Sequence, residues 1–207
     1  MDIERRTAHS ARDVYRRRAI WYDLSTKPIE LFLLRKARRA LAASVYGKIL
    51  EVGVGTGANF VYYPHGLALT GIDASPEMLR IAREKAKLYG LSADLREMDA
   101  ETLQFPDGSF DTVVSTLMLC TVANPVQAVR EMKRVCKKNG RLIFLEHGKS
   151  SVRWVACWQA RRAKRHLEKH ACNVLREPFR IAEQAGLRIQ KSRRFFFGIF
   201  HYIEAAP

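Results

Sequence analysis

The sequence predicts an α/β fold, a mostly parallel sheet of seven strands with an antiparallel edge and helices on both faces. Three observations predict it. Short apolar runs alternate with amphipathic helical stretches from Lys48 to Glu146. The first run, Lys48-Ile-Leu-Glu-Val52, passes directly into glycines at alternate positions, Gly53, Gly55 and Gly57. The chain then closes with two strand-like runs joined through Phe195-Phe-Phe-Gly198, which read as a hairpin beside the parallel strands.

The elements follow in order. Residues 10–24 read as a basic helix holding Val14, Tyr15, Ile20, Trp21 and Tyr22. Pro28 suits the first turn of a second helix running to about Ser44. Its apolar stripe is Ile29, Leu33, Ala37 and Leu41, continued by Val45, with Arg35, Arg38 and Arg39 largely on the other face. Strand Lys48–Val52 comes next, then a short helix from Gly57 and a strand over residues 67–73. Ser75 should cap the helix Pro76–Tyr89, which Gly90 ends. Strand Ala93–Met98, a Pro106-Asp-Gly108 turn and strand Phe110–Ser115 lead to helix Pro125–Lys137. Lys137-Lys138-Asn139-Gly140 reads as a turn before strand Arg141–Glu146. Residues 151–170 form a helix dense in Arg, Lys and His, with Trp154 and Trp158 one turn apart. A helix over Glu177–Ala185 stops at Gly186, before strands at Leu187–Lys191 and Ile199–Ala205.

A chain of 207 residues makes one domain with enough apolar content for a single core. No apolar run approaches the roughly 20 residues that span a bilayer. The start, Met1-Asp-Ile-Glu-Arg-Arg6, lacks the apolar region of a signal peptide, so a cytoplasmic location is expected. Cys120, Cys136, Cys157 and Cys172 are far apart in sequence, without the close pairs of zinc motifs. They are expected to be reduced and mostly buried, with no metal.

The net charge of +15 is unevenly placed. Residues 1–48 carry 12 Lys/Arg against 5 Asp/Glu, and residues 149–207 carry 13 against 4. Residues 49–148 carry 11 against 12. A neutral centre between basic flanks favours an anionic partner more than solubility alone requires.

The neutral centre holds the candidate binding site. Asp73 ends its strand twenty residues after Gly53. The glycines allow backbone N–H groups to approach a nucleoside-bearing cofactor, and Asp73 can accept from both ribose hydroxyls. Gly53, Gly55 and Ala58 also satisfy the dinucleotide pattern G-x-G-x-x-G/A. Against that reading, Glu51 stands two residues before the first glycine, where it would repel a pyrophosphate but suit the amino group of S-adenosylmethionine (SAM). Asp99-Ala100, after the third strand, can hold adenine, with Asp99 accepting from its exocyclic amine. Ala74, Thr116 and Leu117 complete the expected border.

From roughly Tyr15 onward the chain resembles class I SAM-dependent methyltransferases. Beyond the glycine loop the matching stretches are Phe110-Asp-Thr-Val-Val-Ser115 and Arg134-Val-Cys-Lys-Lys-Asn-Gly140 before Arg141-Leu-Ile-Phe-Leu-Glu-His147. Gly57-Ala-Asn-Phe60, Thr116-Leu-Met-Leu-Cys-Thr-Val122, Leu145-Glu-His147 and Ala171-Cys-Asn173 are similar to the alkyl-thiol S-methyltransferases. The glycine-loop motif is equally similar to bacterial phospholipid N-methyltransferases and quinone C-methyltransferases. The resemblance implies an enzyme using SAM on a small hydrophobic acceptor, with a thiol favoured. A phosphatidylethanolamine amine or a quinone carbon is the alternative, and an RNA-binding methyltransferase stands behind both. No Asn-Pro-Pro-Tyr or Asp-Pro-Pro-Tyr element for a flipped base is present.

His147 is the candidate for chemistry, since it follows the fifth strand on the rim where the acceptor meets the methyl group. A neutral imidazole there can accept the proton of a thiol or ammonium. The same position suits a histidine that bonds a loop carbonyl and shapes the pocket. Trp21, Tyr22, Trp154, Trp158 and Phe195–Phe197 all lie in the flanks, where they are expected to pack or to roof an apolar acceptor pocket. With the N-terminal basic stripe, Arg161-Arg-Ala-Lys-Arg165 forms a candidate surface for anionic lipid, giving peripheral attachment at the inner membrane face.

Overall fold

The structure is a computed structural model that describes residues 30–207. The expected helix over 10–24, with Trp21 and Tyr22, and the start at Pro28 lie outside the described residues. A π-helical turn at Glu30–Leu34 runs into α1 (Arg35–Ser44), which ends where expected. Then come β1 (Lys48–Val52), a single 3-10 turn at Phe60–Tyr62, β2 (Ala68–Asp73), α2 (Pro76–Leu88), β3 (Ala93–Glu97) and β4 (Phe110–Thr116). The second half holds α3 (Pro125–Val135), β5 (Cys136–His147), α4 (Arg153–His170), α5 (Pro178–Gln184), β6 (Arg188–Phe195) and β7 (Phe200–Ala206).

The seven strands form one sheet in the order β3-β2-β1-β4-β5-β7-β6. The first five are parallel to their neighbours, and β7 runs antiparallel to both β5 and β6. The chain winds outward from β1 to β3, then returns to place β4 on the other side of β1. Ligands of such sheets sit at this reversal, beyond the C-terminal strand ends.

Alternation along the strands builds two cores. Leu50, Val52, Val113, Leu142 and Phe144 face Ala128, Val129 and Met132 of α3 and Ile181 and Ala182 of α5. Ile49, Leu69, Val114, Ile143 and Leu145 face Leu41 of α1 and Leu79, Ala82 and Ala86 of α2. Each of the Val, Leu, Ile, Met and Phe side chains stabilises the fold by roughly 1.5–3 kcal/mol of removed apolar surface. Among the described residues no helix is long and apolar enough to cross a membrane.

Local chemistry sets the element ends. The Ser75 hydroxyl accepts from the Met78 N–H, and Pro76 occupies the first turn of α2. Two expectations change. The helix from Gly57 is only the 3-10 turn at Phe60–Tyr62, because the left-handed Gly57 delays it. Residues 137–140 are not a turn ahead of the fifth strand: Cys136 already pairs with Phe110, and pairing resumes at Arg141 opposite Thr112. The extra residues form a bulge inside β5. Gly140 is required there, since a Cβ would stand 2.7 Å from the Cys136 sulfur and 2.8 Å from the Asp111 carbonyl.

Candidate active site

At the end of β1 the N–H groups of Gly53 and Val54 both donate to the Ile72 carbonyl, at 2.9 Å, tying the glycine loop to β2. Gly53 has φ +73°, and a Cβ there would lie 2.4 Å from Met118 Cγ. Gly57, at φ +77°, has the Phe60 ring against it, 2.6 Å from where a Cβ would be. Gly55 has nothing within 4 Å of that position and opens on the cavity. The loop is thus compact against protein at two glycines and open at the middle one.

The cavity has a volume of about 640 Å³, within the usual range for small-molecule sites. It contains Gly53, Gly55, Asp73, Ala74, Asp99, Ala100 and Thr116 in its wall, so most of the expected set is brought together. Asp73 is positioned by two backbone donors: Gly55 N–H reaches Oδ2 at 2.9 Å and Ser75 N–H reaches Oδ1 at 2.9 Å. Burial raises the Asp73 pKa, against the pull of those two hydrogen bonds. Each carboxylate oxygen retains acceptor capacity for a ribose hydroxyl. Asp99 is exposed and accepts from Glu101 N–H at 2.9 Å, beside the buried Ala100.

The opposite wall is the loop after β4. Leu117 has φ +54°, unusual for a side chain of its size, and donates its N–H to the Leu145 carbonyl at 2.9 Å. Glu146 holds the loop in place. Its fully buried carboxylate accepts from Ser115 Oγ at 2.7 Å, Met118 N–H at 3.2 Å and Leu119 N–H at 3.1 Å. Burial pushes the Glu146 carboxyl up to about 7, against those bonds and the nearby His147. With its oxygens occupied in this way, Glu146 shapes the wall.

Glu51 and Gly57 do not line the cavity. Glu51 is buried behind it, with Oε1 accepting from Asn59 Nδ2 at 2.7 Å and Oε2 from the Tyr63 hydroxyl at 2.8 Å. Arg38 completes the cluster and does line the cavity. It donates to Asn59 Oδ1 at 2.7 Å and to Thr116 Oγ1 at 3.4 Å, and pairs with Glu30 at 2.6 Å. Burial pushes Glu51 up to about 7, against the bonds from Tyr63 and Asn59 and the Arg38 charge. Arg38 was expected on the outer face of its helix, yet it is only 3% exposed. A charged residue turns inward when buried acceptors complete its hydrogen bonds, and no helical stripe reveals that.

His147 ends β5 as expected, but it is not in the cavity wall. Its Nε2 lies 3.3 Å from Cys172 Sγ. Burial works against its protonation, but Cys172 and Glu146 outweigh that and raise its pKa. Among the described residues, Trp154, Trp158 and Phe195–Phe197 do not line the cavity either. Trp154 is 69% exposed, Trp158 52%, Phe196 45% and Phe197 54%. Sequence reasoning missed Asn59, Tyr63 and Met118, and also Arg176, which donates to the Leu119 carbonyl and to the Val122 carbonyl at 2.6 Å. Their types are ordinary, and only the fold brings them here.

Residues 50–144 match the family model described as a methyltransferase domain. The thiol S-methyltransferase TMT1B of Rattus norvegicus is 31% identical over 179 residues, covering 78% of this chain and 68% of the relative. The chain belongs to the class I SAM-dependent methyltransferases. SAM is therefore its cofactor, and the wall from the glycine loop through Asp73 to Ala100 has the groups to hold it. A phosphatidylethanolamine N-methyltransferase of Cereibacter sphaeroides is 46% identical over 138 residues, 64% of this chain. That match spans 66% of the bacterial relative's length. Among solved structures, a possible histamine N-methyltransferase from Thermotoga maritima superposes with a TM-score of 0.71 at 20% identity. It covers 94% of this chain and 98% of that one, and shows a shared fold.

Proposed function

We propose that the protein transfers a methyl group from SAM to a lipid-like acceptor at an anionic membrane surface, with a phosphatidylethanolamine amine as the acceptor. The sequence reading puts a thiol first. Two findings move the amine ahead: the higher identity to the bacterial phosphatidylethanolamine enzyme and the exposed aromatic surface, which carries the proposal.

That surface joins two elements. Trp154 of α4 meets Phe197 of the β6–β7 turn, with ring centroids 6.1 Å apart. Arg162 lies over the Trp158 ring, 4.5 Å from its centroid. Arg161, Lys164 and Arg165 are exposed on α4, and Arg193 and Arg194 near the end of β6 that leads into the turn. Phe196 and Phe197 have φ +48° and +55°, in a turn where glycine or asparagine would be unstrained. Holding two half-exposed phenylalanines at that cost is explained by what they contact. Aromatic rings and basic side chains together suit the headgroup region.

SAM supplies an electrophilic methyl group on a sulfonium. The neutral amine forms the new N–C bond as the C–S bond breaks, its electrons staying on sulfur, and the extra amine proton leaves to solvent. The chain's contribution is placement. Asp73, Asp99 and the glycine loop would hold the nucleoside, and Leu117 and Met118 would give the same cavity an apolar wall. Alignment and desolvation supply much of the rate in such a transfer. His147 is not assigned a proton-transfer step in this reading.

The test is label transfer from SAM in parallel reactions with phosphatidylethanolamine vesicles, an alkyl thiol, a demethylquinone and RNA. Methylated lipid as the main product supports the proposal. Label in the thiol would restore the thiol reading, which similarity to the rat enzyme favours.

A further inference from the structure

Cys120, His147 and Cys172 are remote in sequence, yet their two sulfurs and one ring nitrogen all lie within 4.8 Å of one another. Cys120 comes from the loop after β4, His147 from the end of β5 and Cys172 from just beyond α4. Both cysteines are buried, and none of the three residues lines the large cavity. The chain makes a local sacrifice to form the group. Ala171, completely buried, has φ +49°, and this left-handed step turns the chain as it leaves α4, immediately before Cys172. Next to it, Asn173 N–H donates to the Cys120 carbonyl at 2.8 Å, which locks the two cysteine segments together.

We propose that Cys120, His147 and Cys172 form a zinc-binding site. Two thiolates and an imidazole are the soft and borderline donors that zinc takes in tetrahedral sites, whereas magnesium and calcium prefer oxygen. Glu146, the nearest carboxylate in sequence, is occupied by Ser115 and two backbone N–H groups and stays outside the set. These three donors leave the fourth tetrahedral position to a water or an exogenous ligand. The sequence expectation of no metal rested on cysteine spacing alone, and the fold removes that ground.

The site would act as a staple. It ties α4, which carries Trp154 and Trp158, to the β4 loop that forms one wall of the cofactor cavity. Binding requires the ligands to lose their protons, so zinc uptake releases protons. The inference is independent of the methyl acceptor.

Cobalt titration of the purified full chain, kept reduced with a phosphine, tests it. The expected result is a thiolate-to-cobalt charge-transfer band with tetrahedral d–d bands, saturating at one ion per chain and bleached by zinc. Cys120→Ser and Cys172→Ser should each weaken binding at least tenfold, whereas Cys136→Ser and Cys157→Ser should leave it unchanged. Wild-type protein needs no variant to fold: zinc should raise its Tm and a chelator should lower it. Absence of the charge-transfer band in protein whose thiols all titrate as free would overturn the proposal. So would a Cys120–Cys172 disulfide persisting under phosphine, or equal metal uptake by the two site variants that remain folded.

Discussion

Replacing Asp73 by asparagine removes the charge that the ribose hydroxyls are expected to meet, with little change in volume. In the native chain the carboxylate is held between Gly55 N–H and Ser75 N–H, each at 2.9 Å. An asparagine keeps one oxygen for one of these donors, but its amide nitrogen must face the other. Hydrogen bonds to a charged group contribute about 1.5–3 kcal/mol. Losing that assistance should weaken SAM or S-adenosylhomocysteine binding by roughly 10- to 150-fold. Calorimetric titration gives the affinity, and thermal unfolding of the cofactor-free variant separates any loosening of the loop. A 2′,3′-dideoxyribose analogue, which lacks both hydroxyls, supplies the decisive comparison. It should bind wild type weakly and lose little more in the variant, because the interaction is already gone. Unchanged affinity for S-adenosylhomocysteine, or an equal further loss with the analogue, would show that Asp73 does not meet the ribose.

Other consequences follow from the same geometry. Gly53→Ala adds a Cβ 2.4 Å from Met118 Cγ at φ +73°. It should lower stability in a urea titration by more than the ~1–2 kcal/mol that a left-handed backbone alone costs. Gly55→Ala has open space, so it should show only the backbone cost while still reducing SAM affinity. Glu51 is raised from 4.5 to about 7, so the folded state holds a proton that the unfolded chain has released across that interval. Stability should therefore fall as pH rises from 4.5 to 7, by on the order of 3 kcal/mol from this group. Glu146 adds to the same slope, and Glu51→Gln should flatten its own share in denaturant titrations at several pH values. Trp154→Ala with Trp158→Ala should reduce sedimentation with anionic vesicles several-fold at fixed salt. Equal binding of the wild type to neutral vesicles would remove the electrostatic part of the surface argument.

Much of the architecture was legible because it rests on local signals. The apolar runs of β1, β2, β4 and β5 have few other uses, and Ser75-Pro76 and Gly90 mark both ends of α2. The glycine loop, Asp73 and Asp99-Ala100 could be read because spacing along a parallel sheet becomes proximity at one rim. What failed to show depended on long-range burial. Arg38 reads as a surface cation until Glu30, Asn59 and Thr116 are placed around it. Glu51 suited the cofactor amine by position, but the fold sets Asn59 and Tyr63 against its carboxylate. His147 was correctly set at the end of β5, while its contact with Cys172 depends on where α4 ends. The flanking aromatics were expected to pack or to roof an acceptor pocket, yet Trp154 and Trp158 are exposed.

The account is tested most directly by a competition for one labelled methyl group. Trideuteromethyl SAM would be given to the enzyme with anionic vesicles containing phosphatidylethanolamine and an alkyl thiol in the same reaction, followed by mass spectrometry of both. The account predicts that the label appears in the lipid headgroup, and that removing anionic lipid or raising salt slows this transfer. Label in the thiol, at a rate indifferent to the vesicles, would contradict it.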